Sequence, residues 1–220
     1  MLFDLRGRGR RRTIQVIYLG LAVLMGGGLV LFGVGAGNGT GGLLNAFNPS
    51  GGSSTAKAYV SQQTKNAEKL VKLEPKNAQA WAALVQDRYD DAGQNSNGTS
   101  YTAAGKLDLA AAGQAWQQYL KLDKHPDPTV ARLIALAYDD LGDYAHEAQA
   151  WLTVAGANPR VAVYYEYAAV AEYQAKNTDL GDQATRQALA IAPKAQRASI
   201  KAELQAAKTQ ATTTTATTTT

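Results

Sequence analysis

Two histidines, His125 and His146, and two doubled acids, Asp90-Asp91 and Asp139-Asp140, are the residues of this chain whose types could do chemistry. An imidazole can shuttle a proton or bind a metal, but triads and ligand sets need several such groups at matching spacings. His125 precedes Pro126 in an expected loop, and His146 falls early in an expected helix. Neither has a histidine or carboxylate partner at a spacing that implies a metal or a triad, so both read as surface residues. The chain has no cysteine, which excludes a thiolate nucleophile, a disulfide framework and a cysteine zinc site. No glycine loop suited to phosphate appears, because the glycine-rich tracts lie in residues 13–54, outside any strand-to-helix context. The expectation is a protein that is not an enzyme and uses no metal or cofactor. The acidic pairs are harder to dismiss. Each closes an expected helix, where negative charge is unfavourable by about 0.3–1 kcal/mol, so helix stability alone does not select them. A solvated turn and a binding groove both account for them.

The elements that would position these acids repeat. YDDAG at 89–93 recurs as YDDLG at 138–142, and YQAKN at 173–177 is a weaker third copy, with Asn177 expected to leave its helix in the left-handed conformation. Ala, Gln, Leu and Lys dominate the middle of the chain, and apolar residues there follow a helical period. The spacing predicts eight antiparallel helices at 56–73, 77–92, 102–123, 128–141, 144–156, 160–176, 179–191 and 194–208. Gly142 is expected to end one helix and Asp143 to cap the next, with Thr178 and Asp179 doing the same in the last unit.

Pro159 and Pro193 stand 34 residues apart, each after an Ala-rich amphipathic stretch. With Ile134, Ala135, Tyr138, Gly142, Tyr144, Ala148 and Trp151 ahead of Pro159, this stretch resembles the tetratricopeptide repeat, a helix–turn–helix of 34 residues. The middle copy, 128–161, has the Tyr, Gly, Ala, aromatic and Pro in register, with Ala131 where the Trp would be. The last, 162–195, offers Tyr165, Ala168, Ala169, Ala188, Leu189 and Pro193, with Tyr173 one residue late. The first has Trp81, Leu84, Val85 and a late Tyr89, then Ala112, Trp116 and Leu120 after an insertion around 94–107. The resemblance implies an all-α solenoid over 56–209 in which neighbouring pairs share a continuous core. Trp81, Leu84, Trp116, Tyr138, Tyr144, Ala148, Trp151 and Ala188 would pack the repeats, while Gly142, Pro159 and Pro193 shape their ends. It also implies a concave groove lined by the first helix of each pair. That nominates Gln79, Ala82, Gln86, Tyr89 and Asp90, then Thr129, Arg132, Leu136 and Asp139, then Val163, Glu166, Val170 and Tyr173. The groove is mixed and slightly acidic, and lacks the Lys/Asn set with which some family members clamp a terminal carboxylate.

Ahead of the repeats, residues 13–35 (TIQVIYLGLAVLMGGGLVLFGVG) carry no charge over 23 residues. As a helix they would reach roughly 35 Å, enough for a hydrocarbon core of about 30 Å. Residues 1–12 hold five of the 22 basic residues and one of the 18 acidic ones, leaving 17 of each beyond them. The net charge of +4 therefore belongs to one short tail, and no basic face is left for nucleic acid. Arginines on this flank place the N-terminus in the cytoplasm and the repeats outside it, with one span in the cytoplasmic membrane. A cleaved signal peptide ending near Val34-Gly35-Ala36 is the rival reading. Residues 36–55 read as a Gly/Ser tether and 210–220 as an unordered threonine-rich tail.

The functional expectation is a membrane-anchored scaffold for a protein or peptide partner, assisting secretion or envelope assembly. Its layout resembles that of bacterial single-span repeat proteins beside the secretion channel. The alternative is an assembly subunit that forms homo-oligomers through its membrane helix, in which Gly26-Gly27-Gly28 would permit close approach.

Overall fold

A computed structural model describes residues 52–97 and 99–216. The basic tail 1–12, the expected span 13–35 and nearly all of the tether lie outside the described residues. Those described form an all-helical body. Its helices are α1 (Gly52–Leu73), α2 (Ala78–Gln94), α3 (Ala103–Leu122), α4 (Pro128–Leu141), α5 (Tyr144–Ala157), α6 (Ala162–Gln174), α7 (Thr178–Ile191) and α8 (Arg197–Ala216). Among the described residues there is no strand beyond an isolated bridge between Ser96 and Tyr101, and no helix long and apolar enough to cross a membrane.

Local chemistry starts these helices where the sequence suggests. Side chains of Asn77, Thr102, Asp127 and Asp143 accept from the otherwise unpaired amides of Ala80, Gly105, Thr129 and His146. Pro128 adds a fixed φ at the first position of α4. Gly142 ends α4 at φ 71°, the left-handed region a Cβ disfavours. The last unit differs from expectation. Asn177, not Thr178, precedes α7, and it makes no side-chain capping bond. Its amide instead donates to the Glu172 carboxylate at 2.9 Å. The left-handed residue there is Lys176, at φ 66°, rather than Asn177.

The two turns are nonetheless the same turn. After α4, the amides of Gly142 and Asp143 donate to the carbonyls of Asp139 (2.9 Å) and Tyr138 (2.8 Å). After α6, those of Lys176 and Asn177 donate to Tyr173 (3.0 Å) and Glu172 (2.8 Å). Gly142 thus matches Lys176, 34 residues on, and Glu172 rather than Tyr173 takes the place of Tyr138. Helix bounds follow the same step: α4 and α6 begin at Pro128 and Ala162, α5 and α7 at Tyr144 and Thr178, and α5 and α7 end at Ala157 and Ile191. The hairpin α2–α3 is longer, and its first YDDxG copy behaves differently. Gly93 remains inside α2, and Asn95 closes the helix ahead of the inserted loop.

From α2 onward consecutive helices pack on one another, α2 also touches α4, and α6 touches α8. On α1, Lys57, Ser61 and Thr64 meet in turn Asn95, which closes α2, and Asp91 and Asp87 within it, a reversed order that makes the two helices antiparallel, and Glu68 pairs with Arg88. Arg88 also bonds Asp108 of α3 at 2.8 Å. The core runs through Val85, Leu109, Trp116, Tyr119, Val130, Ile134, Trp151 and Val154, each worth roughly 1.5–3 kcal/mol of burial. Ala112, Ala135, Ala148, Ala168, Ala169 and Ala188 are fully buried and let backbones approach. Of the expected packing residues, Leu84, Trp116, Tyr138, Ala148, Trp151 and Ala188 are buried, while Trp81 and Tyr144 are partly so. Pro159 and Pro193 are exposed. They follow the last residues of α5 and α7 by two positions, so they stop helices rather than fill gaps.

The last helix starts later and ends later than expected. A turn closed by Gln196 N–H on Pro193 O precedes it, and it continues through Ala216 into the threonine tract. Hydroxyls of Thr212 and Thr213 bond back to the Thr209 carbonyl at 2.8 and 2.9 Å, satisfying locally the groups that would otherwise compete with the helix.

Candidate functional site

Most of the nominated groove residues present free surface. Gln79, Gln86 and Asp90 on α2, Thr129, Arg132, Leu136 and Asp139 on α4, and Val163 on α6 are exposed, while Tyr89, Glu166 and Val170 are partly so. Two are not available to a partner. Ala82 is 6% exposed and Tyr173 3%. The Tyr173 ring lies against Gly181, and its hydroxyl meets Asp182 and Thr185, each at 2.9 Å. α2 and α4 are neighbours, and the Tyr89 phenol is pushed up to about 12 chiefly by burial, with Tyr101, Asp140 and Asp90 adding to the shift. The acidic pairs part company. Asp90 is exposed, whereas Asp91 is buried and accepts from Ser61 at 3.2 Å. Asp139 and Asp140 both remain exposed. Burial raises the Asp140 carboxyl and Asp139 adds to the shift.

Four of the nominated residues converge. Arg132, Leu136 and Asp139 of α4 and Val163 of α6 line a recess of about 520 Å³, closed by Glu147 and Trp151 of α5 and by Tyr164 and Tyr167 of α6. Its walls are aromatic. Trp151 stacks on Tyr164 with ring centroids 6.2 Å apart and meets Tyr167 at 4.7 Å. The helical period puts Arg132, Leu136 and Asp139 on one face of α4, and Val163, Tyr164 and Tyr167 on the facing side of α6. Tyr164 and Tyr167 were missed in the sequence because the family pattern directs attention to 163, 166 and 170. An aromatic run, Tyr164, Tyr165 and Tyr167, was the available signal.

Glu147 is the least expected member. It is 9% exposed and sits in the first turn of α5. One oxygen, Oε1, accepts the Trp151 indole N–H at 3.0 Å. The other, Oε2, is buried and has no hydrogen-bond partner among the described residues. Desolvation pushes this carboxyl up to about 7, the Trp151 bond opposes the shift, and Asp139 adds to it. A buried carboxylate oxygen without a donor is costly in a native fold, so the wall of the recess carries one unspent acceptor.

The histidines do not join this site. The His125 amide bonds Asp123 at 2.8 Å in a loop. His146 Nδ1 lies 2.8 Å from Asp143 Oδ2, and the ring stacks on Tyr138 at 5.2 Å. Asp143 is thus a carboxylate partner that the sequence reading did not assign to His146, and the pair reinforces the cap of α5 at the surface. No group of three or more potential metal ligands occurs among the described residues. Compared with known proteins, the chain matches no family model and no curated protein.

Proposed function

We propose that this chain is a non-catalytic scaffold for protein partners, its helices forming an α-solenoid of the tetratricopeptide type anchored by residues 13–35 outside the cytoplasmic membrane, where it assists secretion or envelope assembly. The observation that carries this reading is the recess between α4, α5 and α6, lined by Arg132, Leu136, Asp139 and Val163 of the expected first-helix groove. The 34-residue step between the hairpins supports the repeat architecture. Exposed Leu136 and Tyr167, at 40% and 46%, supply apolar surface of the kind partners cover. Concave sites with aromatic walls and a few placed polar groups are where ligands bind.

Affinity capture from detergent-solubilised membranes tests the reading. Replacing Asp90, Asp139 and Glu166 together with alanine is expected to release heterologous partners held by the wild-type chain. Unchanged capture of every partner would overturn the groove assignment. Products containing only this chain, crosslinked through 13–35, would favour the assembly subunit instead.

A further inference from the structure

We propose that the recess between α4, α5 and α6 receives a lysine side chain of the partner polypeptide, with Glu147 as its counter-ion. The proposal rests on the groove reading above and names the chemistry the groove selects. Glu147 Oε2 is a buried acceptor with no donor among the described residues, and Glu147 lines the recess together with Arg132 and Asp139. What fits is a group that donates hydrogen bonds and carries positive charge. With Oε1 already engaged by Trp151, the free acceptor is a single atom. That suits the point charge of an ammonium better than the two-pronged guanidinium, which prefers both carboxylate oxygens. Trp151, Tyr164 and Tyr167 offer faces along which a methylene stem can lie and against which a cation is attracted.

The neighbouring hairpin shows the same ingredients already assembled within the chain. Lys208 of α8 donates to both oxygens of Asp182 at 2.8 Å and lies 5.9 Å from the centre of the Tyr173 ring. That lysine holds the Asp182 carboxyl below its ordinary range. At the α4–α5 hairpin the aromatic walls and carboxylate are present, and no lysine lines the recess.

The groups facing Glu147 are Arg132 and Asp139 from α4 and Tyr164 and Tyr167 from α6, with Trp151 of its own helix. Arg132 and Asp139 are both exposed and oppose each other in sign. Because burial pushes the Glu147 carboxyl up to about 7, an ammonium binds well only once Glu147 is ionised. For a group of that pKa, the ionised fraction falls about thirty-fold from pH 8 to pH 5.5.

The test uses the full chain in neutral detergent micelles and n-pentylammonium as a lysine-stem probe, with n-pentanol and n-pentanoate as controls. The readout is the Trp151 indole N–H resonance, assigned by its loss in Trp151→Phe. Pentylammonium is expected to shift that resonance saturably at pH 8, about thirty-fold more weakly at pH 5.5, and the controls should not. Glu147→Gln should abolish the response while leaving the Trp116 resonance in place, and Arg132→Ala should strengthen it. An equal response to pentanol, or a response that survives Glu147→Gln, would overturn the lysine assignment, as would silence at pH 8. The probe needs no protein partner. Failure here with partner release by the Asp90, Asp139 and Glu166 substitutions intact therefore sinks this inference and not the groove.

Discussion

The hairpins α4–α5 and α6–α7 share one backbone plan and fill it differently. Thirty-four residues separate their helix starts, and the same pair of turn bonds closes α4 and α6. Glu147 in the first hairpin corresponds by that step to Gly181 in the second. Over Gly181 lies the ring of Tyr173, so close that a Cβ on the glycine would fall 2.4 Å from Cε1. Over Glu147 lies an open recess. Turn geometry and small residues therefore set the repeat, whereas a few large side chains decide which corner is packed shut and which stays available.

This contrast can be broken most forcefully at the filled corner. Tyr173→Ala should cost about 3–5 kcal/mol, since it leaves a void over Gly181 and strips the hydroxyl bonds to Asp182 and Thr185. Gly181→Ala should cost about 1–3 kcal/mol by forcing that ring away. Both are read as unfolding free energies in urea.

At the open corner the expected sign reverses. Glu147 carries a carboxyl pushed up to about 7 in the folded chain, from an ordinary value of 4.5. The folded state therefore holds its proton longer than the unfolded state. Its contribution to stability is intact below pH 4.5 and is lost as the pH climbs through 7. Glu147→Gln keeps an acceptor for Trp151 and removes the buried charge. It should stabilise the fold by about 1–3 kcal/mol at pH 8 and change nothing at pH 4, as paired thermal melts would show.

The smallest effect sharpens the shared turn. Gly142 and Lys176 occupy equivalent left-handed positions, at φ 71° and 66°. Gly142→Ala should destabilise by about 1 kcal/mol, and Lys176→Gly should stabilise by up to about 1 kcal/mol. Equal signs for the two substitutions would mean the turns are not equivalent.

Helix order was legible because it rests on short-range chemistry. Asn77, Thr102, Asp127 and Asp143 are capping residues that act within three positions of themselves, and Gly142 is an exit residue. The third exit was misread because Lys176, not Asn177, takes the left-handed position. An intrinsic preference there yielded to the bond between Asn177 and Glu172. That the last helix runs through the first threonines to Ala216 was not legible either, since composition does not reveal hydroxyls that bond back to a preceding carbonyl. For the site, the resemblance to the repeat family nominated Arg132, Leu136, Asp139 and Val163, which the recess brings together. It could not reveal the burial of Glu147 or the orientation of Tyr164 and Tyr167, which depend on how α5 and α6 come together. Tyr173 has the position of a groove residue, but its ring packs against α7 instead.

Under the proposed function, another polypeptide sits in the corner left open between α4, α5 and α6. The most direct measurement places a photo-crosslinking side chain at Leu136, inside the recess, and in a second variant at Leu180, exposed on α7 outside it. Irradiation in intact membranes is expected to yield heterologous polypeptide adducts from position 136 that disappear when Glu147→Gln or the Asp90, Asp139 and Glu166 substitutions are added, and none from position 180. Equal adducts from both positions, or adducts at 136 indifferent to the Asp90, Asp139 and Glu166 substitutions, would contradict it.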